Sequence, residues 1–353
     1  MDQSIPNPAQ TDVPYLIDDF HNMPYRYLGR SGLQVSNIGL GTWKFGYPET
    51  GDGSRVDEKV AFQIFDRAIE LGVTFWDTAN RYNFGAGNSE RVIGRWLSNN
   101  PDQRRNVVLA TKVFGGMDGY TPNHCRLGRV NILESVYACL DRLQSDSIDL
   151  LYFHFYEPVT PVEESLSVIE DLVRLDLIRY FAVSNFTLDQ LRLYQAAEPN
   201  FSIRSRVIAV QNQYDILNLE TNQPGVLEYC QRTGISFVAF SPLGRGLLTS
   251  RYLLKTKVGP GDRLFDEGTL DKDIPPETYL RLTKLAEFAK ELGLEVNQLA
   301  LAYMLKIPGM GPVIPASSTV QQLESNAAAG KVVLTPEQKE QVKKIITPAS
   351  HAS

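Results

Sequence analysis

The sequence predicts a single (β/α)8 barrel, and three observations support this fold class. Short apolar runs typical of strands alternate with segments that have the 3.6-residue period of helices. The runs begin near residues 38, 74, 107, 148, 180, 207, 235 and 312, and the first seven are spaced to hold a strand, a helix and two loops. Seven runs end on polar residues, which parallel strands would bring to one mouth: Asp77, Lys112, His154, Ser184-Asn185, Gln211, Ser241 and Ser317.

The first element is a predicted hairpin that closes the bottom of the barrel. Two short strand-like pieces flank Gly29 to Gly32, which is a hairpin pattern. We expect residues 1–23 to be an N-terminal extension, residues 24–346 to form the barrel, and residues 347–353 to be a C-terminal tail. The extension has no basic end followed by an apolar stretch, so we expect no secretory signal in it.

The helices are predicted from apolar spacing and from capping patterns. Val60, Ile64, Ala68 and Leu71 would share one helix face. Pro161 would be the first residue of its helix, a position that proline favours. A further helix is expected near the C-terminus. Three starts have a threonine cap with a Glu or Gln three residues later: Thr160 with Glu163, Thr187 with Gln190, and Thr335 with Gln338.

One long connection interrupts the regular alternation. Residues 243–277 are rich in glycine, proline and charge, and they leave the strand ends where a barrel places its chemistry. Long connections in compact domains are usually functional. We therefore expect a loop that covers a ligand, the alternative being a solvated excursion.

Composition excludes several classes of protein. The 353 residues carry a net charge of −6 with both signs interspersed, which indicates no nucleic-acid groove or membrane surface. No run reaches the length of a membrane-spanning segment. Cys125, Cys139 and Cys230 are too widely spaced for a zinc cluster or a disulfide framework, so no metal site is predicted and we expect a reducing, cytoplasmic location. The sequence does not specify an oligomeric state.

Four side chains at the predicted mouth can form one catalytic site. Tyr82 follows Asp77 by five residues, and Lys112 and His154 end the next two runs. A phenol has a pKa near 10, and a neighbouring ammonium lowers that pKa toward neutrality, while Asp77 would keep Lys112 charged. Such a phenol can exchange a proton with a carbonyl oxygen during hydride transfer, with His154 orienting that oxygen. Singly, each residue has a structural alternative, such as a turn cap for Asp77 or a satisfied core histidine for His154.

The chain resembles the aldo-keto reductases over residues 24–346, closest in pattern to the bacterial and fungal enzymes and to the potassium-channel β-subunit branch. The matching stretches are YLGRSGLQVSNIGLGTW, FWDTANRY, LATKV, IDLLYFH, RYFAVSNF, VQNQYDILN, FSPLGRGLLT and VIPASSTVQQLESN. This resemblance implies a (β/α)8 barrel that binds NAD(P)H without a Rossmann domain. It also implies a catalytic tetrad of Asp77, Tyr82, Lys112 and His154.

The resemblance further implies a set of cofactor-binding residues. Three members of this set also have a structural explanation. Phe240 can be an aromatic of the barrel core, and Arg251 can be a solvated surface arginine. Gln322 can complete a capping box that begins at Thr319. The implied set is Gly41, Thr42, Trp43, Asp77, Ser184, Asn185, Gln211, Phe240, Ser241, Leu243, Gly246, Arg251, Ser317, Ser318, Gln322 and Asn326.

The chain departs from the family pattern at four places. Asn83 occupies a position at which the family often has glycine, and Glu157 replaces an aspartate that is common there. Ser325 occupies a position at which a glutamate often contacts the adenine. The loop PASSTVQQ has no Lys or Arg to bind a 2′-phosphate. Family membership favours NADP(H), and use of NAD(H) stays open.

Aromatic residues near the predicted mouth suggest the substrate pocket. Aromatic walls suit an apolar carbonyl compound and also stack on sugar rings, whereas Asn80, Arg81 and Asn83 add polarity and favour a hydroxylated aldehyde or a sugar. Some of these aromatics can instead face away into the packing. The candidates are Trp43, Tyr47, Phe84, Phe114, Phe155 and Tyr156.

Two functions from different classes follow. The first is an NAD(P)(H)-dependent oxidoreductase that interconverts a carbonyl compound (an aldehyde, a ketone or a sugar) and its alcohol, with Tyr82 as general acid and base. The second is a cofactor-binding regulatory subunit that resembles the potassium-channel β-subunits. An intact tetrad is compatible with both, because a regulator can retain a working site.

Overall fold

The computed structural model describes residues 18–85, 87–117, 119–202, 205–253, 259, 263–266, 268–269 and 274–347. Eight of its strands form one parallel sheet in chain order. Parallel bridges between Ile38 and Val313 and between Gly41 and Ala316 join the first of these strands to the last, as the predicted (β/α)8 barrel requires. The eight strands are β4 (Gly39–Gly41), β5 (Phe75–Asp77), β6 (Val108–Val113), β7 (Ile148–Phe153), β8 (Ile178–Ser184), β9 (Val207–Gln213), β10 (Ser236–Phe240) and β11 (Met310–Ile314).

A separate three-stranded sheet covers the amino-terminal end of the barrel, where the hairpin was predicted. Strands β1 (Asp19–Phe20), β2 (Met23–Tyr27) and β3 (Gln34–Ser36) pair antiparallel. The Gly29 amide donates a 2.7 Å hydrogen bond to Ser236 Oγ at the start of β10. Gly29 has a φ of +60°, and a Cβ there would lie 2.1 Å from Ile208 O, so only glycine fits. Strand β1 lies inside the predicted extension, of which residues 1–17 are outside the described residues.

Helices pack around the barrel, and two of the three predicted capping boxes are present at helix starts. Thr187 with Gln190 and Thr335 with Gln338 form complete capping boxes, and the last of these starts the predicted C-terminal helix. The described helices are α1 (Glu58–Glu70), α2 (Tyr82–Gly85), α3 (Asn88–Asn99), α4 (Arg129–Leu143), α5 (Val162–Arg174), α6 (Leu188–Ala197), α7 (Val226–Thr233), α8 (Ser250–Leu253), α9 (Arg263–Asp266), α10 (Pro276–Glu291), α11 (Val296–Met304), α12 (Val320–Ala329) and α13 (Pro336–Ile346).

The predicted start of α5 was wrong. The helix begins at Val162, and Pro161 is the cap residue, without a side-chain hydrogen bond. The reason is that the Glu157 carboxylate accepts from the backbone amide of Thr160 and holds that residue in the preceding loop. Glu163 therefore does not complete a capping box with Thr160.

The apolar core has two layers. Ile64 and Ala68 of α1 are buried between the helices and the strands, while Val60 and Leu71 on the same face are partly buried, in agreement with the predicted helix face. A second cluster fills the barrel interior and includes Leu28 from the hairpin. None of the helices in the described part of the chain is both long and apolar enough to cross a membrane.

Candidate active site

The four predicted catalytic side chains come from three successive strands and the loop after the first of them. Asp77 ends β5, Lys112 is the next-to-last residue of β6, and His154 directly follows β7. Tyr82 opens α2, which follows β5. Because the strands are parallel, all four lie at the carboxyl end of the barrel.

Lys112 is at the centre of this group. Its Nζ donates hydrogen bonds to Asp77 Oδ2 at 2.6 Å, to Tyr82 Oη at 2.8 Å and to the backbone oxygen of Thr78 at 2.9 Å. Lys112 and Asp77 are only 1% and 2% exposed. An ammonium makes three hydrogen bonds, so every donor of this buried lysine is used. Burial lowers the pKa of Lys112 from its ordinary value of 10.5, and the Asp77 carboxylate opposes that shift.

The prediction that Lys112 lowers the pKa of Tyr82 toward neutrality was wrong for this structure. Burial and the Asp77 carboxylate raise the pKa of Tyr82 well above its ordinary value of 10. The physical reason is that Asp77 compensates the charge of Lys112 and also accepts from Tyr82 Oη at 3.3 Å. Tyr82 is therefore a neutral phenol, which can donate its proton.

His154 is neutral as well. Burial and the nearby Lys112 charge lower the pKa of its imidazole from 6.5 to about 3. Its ring stacks on Phe155 with centroids 4.7 Å apart and meets the Tyr82 ring edge-on with centroids 6.0 Å apart. The imidazole is thus held beside the phenol by packing and offers uncharged nitrogen atoms to the same space.

Three polar residues connect the opposite wall to this group. Gln211 Nε2 donates to Asp77 Oδ1 at 2.7 Å. Ser184 Oγ donates to the backbone oxygen of Gln211 at 2.9 Å, and Asn185 Nδ2 donates to the backbone oxygen of His154 at 3.0 Å. These three residues, which the resemblance assigns to cofactor binding, therefore also brace the catalytic group.

A cavity of about 730 Å³ opens over the four residues. Asp77, Tyr82 and His154 line it, whereas Lys112 lies beneath. Arg126, Cys125 and two glycines also line the cavity, and no motif of the sequence had indicated them. The predicted cofactor and substrate residues that line this first cavity are Gly41, Trp43, Asp77, Phe114, Phe155, Ser184, Asn185, Gln211, Phe240 and Ser241.

Three aromatics that were predicted to contact substrate do not line the first cavity. Tyr47 Oη donates to Glu58 at 3.1 Å, and its ring lies under the Arg95 guanidinium. Phe84 is 86% exposed, because α2 turns there through consecutive left-handed residues. Tyr156, the remaining candidate, packs edge-on against Phe186.

A second cavity, of about 480 Å³, adjoins the first and shares Trp43, Ser241 and Ala316 with it. Several charged residues that were not among the predicted cofactor-binding residues line it: Lys44, Arg55, Arg245 and Glu295. The predicted cofactor residues along it are Trp43, Ser241, Leu243, Gly246, Arg251, Ser318, Gln322 and Asn326. Of the loop predicted to cover a ligand, residues 254–258, 260–262, 267 and 270–273 lie outside the described residues.

Two predicted cofactor residues line neither cavity. Thr42 is buried and donates from Oγ1 to the backbone oxygen of Asp77 at 3.0 Å. Ser317 is buried and accepts from Asn326 Nδ2 at 3.2 Å. Both support residues that do line the cavities.

Gln322 does more than the expected helix cap. The Thr319 side chain accepts from the Gln322 amide, but the Gln322 side chain accepts from the Ser318 amide instead of completing a box. This hydrogen bond fixes the backbone that borders the second cavity.

The departures from the family pattern have local explanations. Asn83 has a φ of +54°, a conformation that asparagine tolerates better than most residues, and its Nδ2 donates to Phe45 O at 2.8 Å. Burial opposes the ionisation of Glu157, but hydrogen bonds from its own loop lower its pKa overall. Ser325 donates to Glu295, so a carboxylate from α11 reaches the second cavity where the family often has a glutamate.

Comparisons with known proteins agree with this architecture. Residues 37–347 match the model of the aldo/keto reductase family. The chain is 35% identical to an uncharacterized oxidoreductase, YrpG, of Bacillus subtilis, over 89% of this chain and 93% of that one. It is 29% identical to L-glyceraldehyde 3-phosphate reductase of Escherichia coli K12, over 88% of each chain. It is 27% identical to a probable voltage-gated potassium channel subunit beta of rice, over 92% of this chain and 97% of that one.

Proposed function

The chain belongs to the aldo/keto reductase family, and from that premise we propose that it interconverts a carbonyl compound (an aldehyde, a ketone or a sugar) and its alcohol with NAD(P)(H). The observation that carries the proposal is the contact of Lys112 Nζ with Tyr82 Oη at 2.8 Å beneath an open cavity. A neutral phenol that is hydrogen-bonded to a buried ammonium has the character of a general acid.

The residues then have distinct roles. Tyr82 donates its proton to the carbonyl oxygen as the carbon accepts a hydride, and Lys112 stabilises the phenolate that remains. Asp77 holds Lys112 in place. Neutral His154 orients the carbonyl oxygen by a hydrogen bond, without competing as an acid. In the direction of alcohol oxidation the phenolate takes the proton back.

The two adjoining cavities fit a dinucleotide. When bound, the nicotinamide cofactor supplies or accepts the hydride. Ser184, Asn185 and Gln211 provide the hydroxyl and amide groups that would hold a carboxamide in the first cavity, and Phe240 provides a ring for stacking. The remainder of the cofactor would occupy the second cavity along Leu243, Gly246, Arg251, Ser318, Gln322 and Asn326.

NADP(H) is the favoured cofactor. The PASSTVQQ loop lacks cations, but Lys44, Arg55, Arg245 and Arg251 line the second cavity from other elements. These four cations share the cavity with one carboxylate, Glu295, and guanidinium and ammonium groups bind phosphate well, which supports an additional phosphate on the ligand.

The substrate is a small carbonyl compound. Trp43, Phe114 and Phe155 give the first cavity aromatic walls. Two relatives have names that specify carbonyl or hemiacetal substrates, namely L-glyceraldehyde 3-phosphate reductase and versiconal hemiacetal acetate reductase. Both names support an aldehyde substrate that carries further oxygen groups, rather than a ketone whose carbonyl is its only polar group.

The regulatory alternative is supported by the similarity to the rice potassium channel subunit. The hydrogen-bonded Asp77, Tyr82 and Lys112 beneath the open cavity support catalysis, and because a regulator can retain such a site, turnover decides between the two functions. The test is to follow NADPH absorbance with a panel of aldehydes, ketones and sugars, and to assay alcohols with NADP+. Turnover with at least one class supports the proposal. Cofactor binding without turnover, together with modulation of channel currents, would favour the regulator.

A further inference from the structure

We infer that the substrate carries an anionic group, a phosphate or a carboxylate, that binds to Arg81 and Arg126 on the wall of the first cavity. Both arginines line this cavity together with Tyr82 and His154. The inference rests on the proposed function, because it concerns the substrate of the same site. It narrows the substrate to a carbonyl compound with an oxyanion at some distance from the reacting carbon.

Arg81 directly precedes Tyr82, and its side chain lies across Gly115. A Cβ built on Gly115 would be 2.1 Å from Arg81 Cδ and 2.8 Å from Arg81 Nη1. The absence of a side chain at Gly115 therefore makes room for the guanidinium on the cavity wall. An alanine at this position would force Arg81 to move.

Arg126 reaches the cavity from the loop before α4. Its φ is +72°, a left-handed conformation that is uncommon for a residue other than glycine. Its amide donates to Phe114 O at 2.7 Å, and its carbonyl accepts from Asn131 Nδ2 at 2.7 Å. These two hydrogen bonds fix the unusual backbone conformation, as is common at ligand sites.

Among the residues that the structure describes, these two cations have no carboxylate partner. Within the part of the chain that the structure describes, no carboxylate lies within 4.0 Å of Arg81 or Arg126. Of the described residues that line the cavity, one has a carboxylate, Asp77, and it is paired with Lys112. His154 adds no charge, because its pKa is lowered to about 3. An anion would therefore be attracted to this wall, and guanidinium groups bind phosphate and carboxylate well.

The anion belongs to the substrate rather than to the cofactor. Neither arginine lines the second cavity, where Arg245 and Arg251 are placed to meet the phosphates of a dinucleotide. Arg81 and Arg126 instead share the first cavity with the aromatic walls of Phe114 and Phe155. Arg81 and Arg126 are both exposed residues, so an ordinary solvated role is the outcome that the test must exclude.

The test compares matched pairs of neutral and anionic aldehydes with the full-length protein and NADPH. One pair is glyceraldehyde with glyceraldehyde 3-phosphate, and the other is butanal with succinic semialdehyde. We expect kcat/KM to be at least about tenfold higher for the anionic member of one pair, since a hydrogen bond between charged groups contributes about 1.5–3 kcal/mol. The pair with the larger ratio identifies phosphate or carboxylate as the group that is bound.

Variants assign the preference to the two arginines. Arg81→Gln, Arg126→Gln and Gly115→Ala should each reduce the anionic-to-neutral ratio about tenfold or more, mainly through KM. The matched control is Arg105→Ala, an exposed arginine before β6 at the other end of the barrel, and its ratio should equal that of the wild type. A wild-type ratio near one, or an equal loss in the control, would overturn the inference.

A binding experiment separates this inference from the proposed function. Turnover of the neutral aldehydes without an anionic preference overturns only the inference. If no aldehyde is turned over, the proposed function fails, and calorimetric titration of the NADP+ complex with glycerol 3-phosphate and with succinate decides the inference. Binding that is weakened in Arg81→Gln and Arg126→Gln supports it, and absence of binding overturns it.

Discussion

Gln211 Nε2 donates a 2.7 Å hydrogen bond to Asp77 Oδ1, and this bond connects β9 to β5 across the mouth of the barrel. The other oxygen of the same carboxylate, Oδ2, accepts from Lys112 at 2.6 Å. Asp77 is thus held on both sides, and the position of the Lys112 ammonium depends on a residue that is 134 positions away from Asp77 in sequence. The catalytic group and the predicted carboxamide site form one hydrogen-bonded unit.

We expect Gln211→Leu to destabilise the protein, because Asp77 Oδ1 would keep its burial and lose its donor. The expected loss in the free energy of unfolding is about 1–3 kcal/mol. Urea denaturation measures it, with Gln213→Leu, further along the same strand, as the control. An equal loss in both variants would show that the effect comes from the strand and not from Asp77.

Asp77→Asn should be more damaging, because it leaves the buried Lys112 without a counter-charge. Breaking a buried pair in this way costs about 3–5 kcal/mol, whereas an exposed pair contributes about 1 kcal/mol or less. The matched control is Glu70→Gln, which removes a carboxylate that is paired with Arg67 on the surface of α1. Chemical denaturation should separate the two variants clearly, and similar unfolding midpoints would contradict the importance of the buried pair.

Tyr82→Phe removes the proposed acid together with the hydrogen bonds of its hydroxyl to Lys112 and Asp77. We expect kcat to fall by about 10²- to 10⁴-fold, because this is the usual contribution of a general acid. The affinity for NADPH, measured by fluorescence titration, should stay at the wild-type value. Wild-type turnover in this variant would rule out Tyr82 as the proton donor.

From the lowered pKa of His154 we predict the pH dependence of both activity and stability. In carbonyl reduction, kcat/KM should show no inflection near pH 6.5, since the imidazole stays neutral until about pH 3. Between pH 6.5 and about 3, the unfolded chain binds a proton at His154 and the folded protein does not. The free energy of unfolding therefore decreases as the pH falls through this range.

The matched variant for this test is His154→Gln. Its free energy of unfolding should fall less than that of the wild type over the same acidic range, because it lacks the titrating group. Unfolding curves at several pH values measure this difference. An activity inflection between pH 6 and 7 that disappears in His154→Gln would contradict a neutral imidazole.

The cations of the second cavity predict a preference for NADPH. We expect the Kd for NADPH to be lower than that for NADH by about tenfold or more, the size of one charged hydrogen bond. Arg251→Ala should weaken binding of NADPH, whereas Arg192→Ala, an exposed arginine of α6 paired with Asp189, should not. Equal affinities for the two dinucleotides would remove the support for a 2′-phosphate site.

The strands and their order could be predicted from local pattern. Apolar runs and helix caps depend on neighbours in the chain, so the strand ending at Asp77 and the capping box at Thr335 were predicted correctly. Side-chain direction depends on distant contacts and could not be predicted. Tyr47 illustrates this, because its hydroxyl donates to Glu58 and its ring packs under the Arg95 guanidinium, outside the cavity. The start of α5 was missed for a different reason, because Glu157, only three residues before Thr160, accepts from the Thr160 amide, and the capping pattern did not take this local hydrogen bond into account.

The amino-acid sequence by itself determined the barrel and the residue types at its mouth, because the period of apolar residues fixes strands and helices and parallel strands share one carboxyl end. Only the tertiary structure decided the electrostatics. Burial and the Asp77 charge raise the pKa of Tyr82 instead of lowering it, and Arg81 and Arg126 line one cavity although they are far apart in the chain. The reason is that a pKa or a binding wall depends on distances in space, which local sequence does not contain.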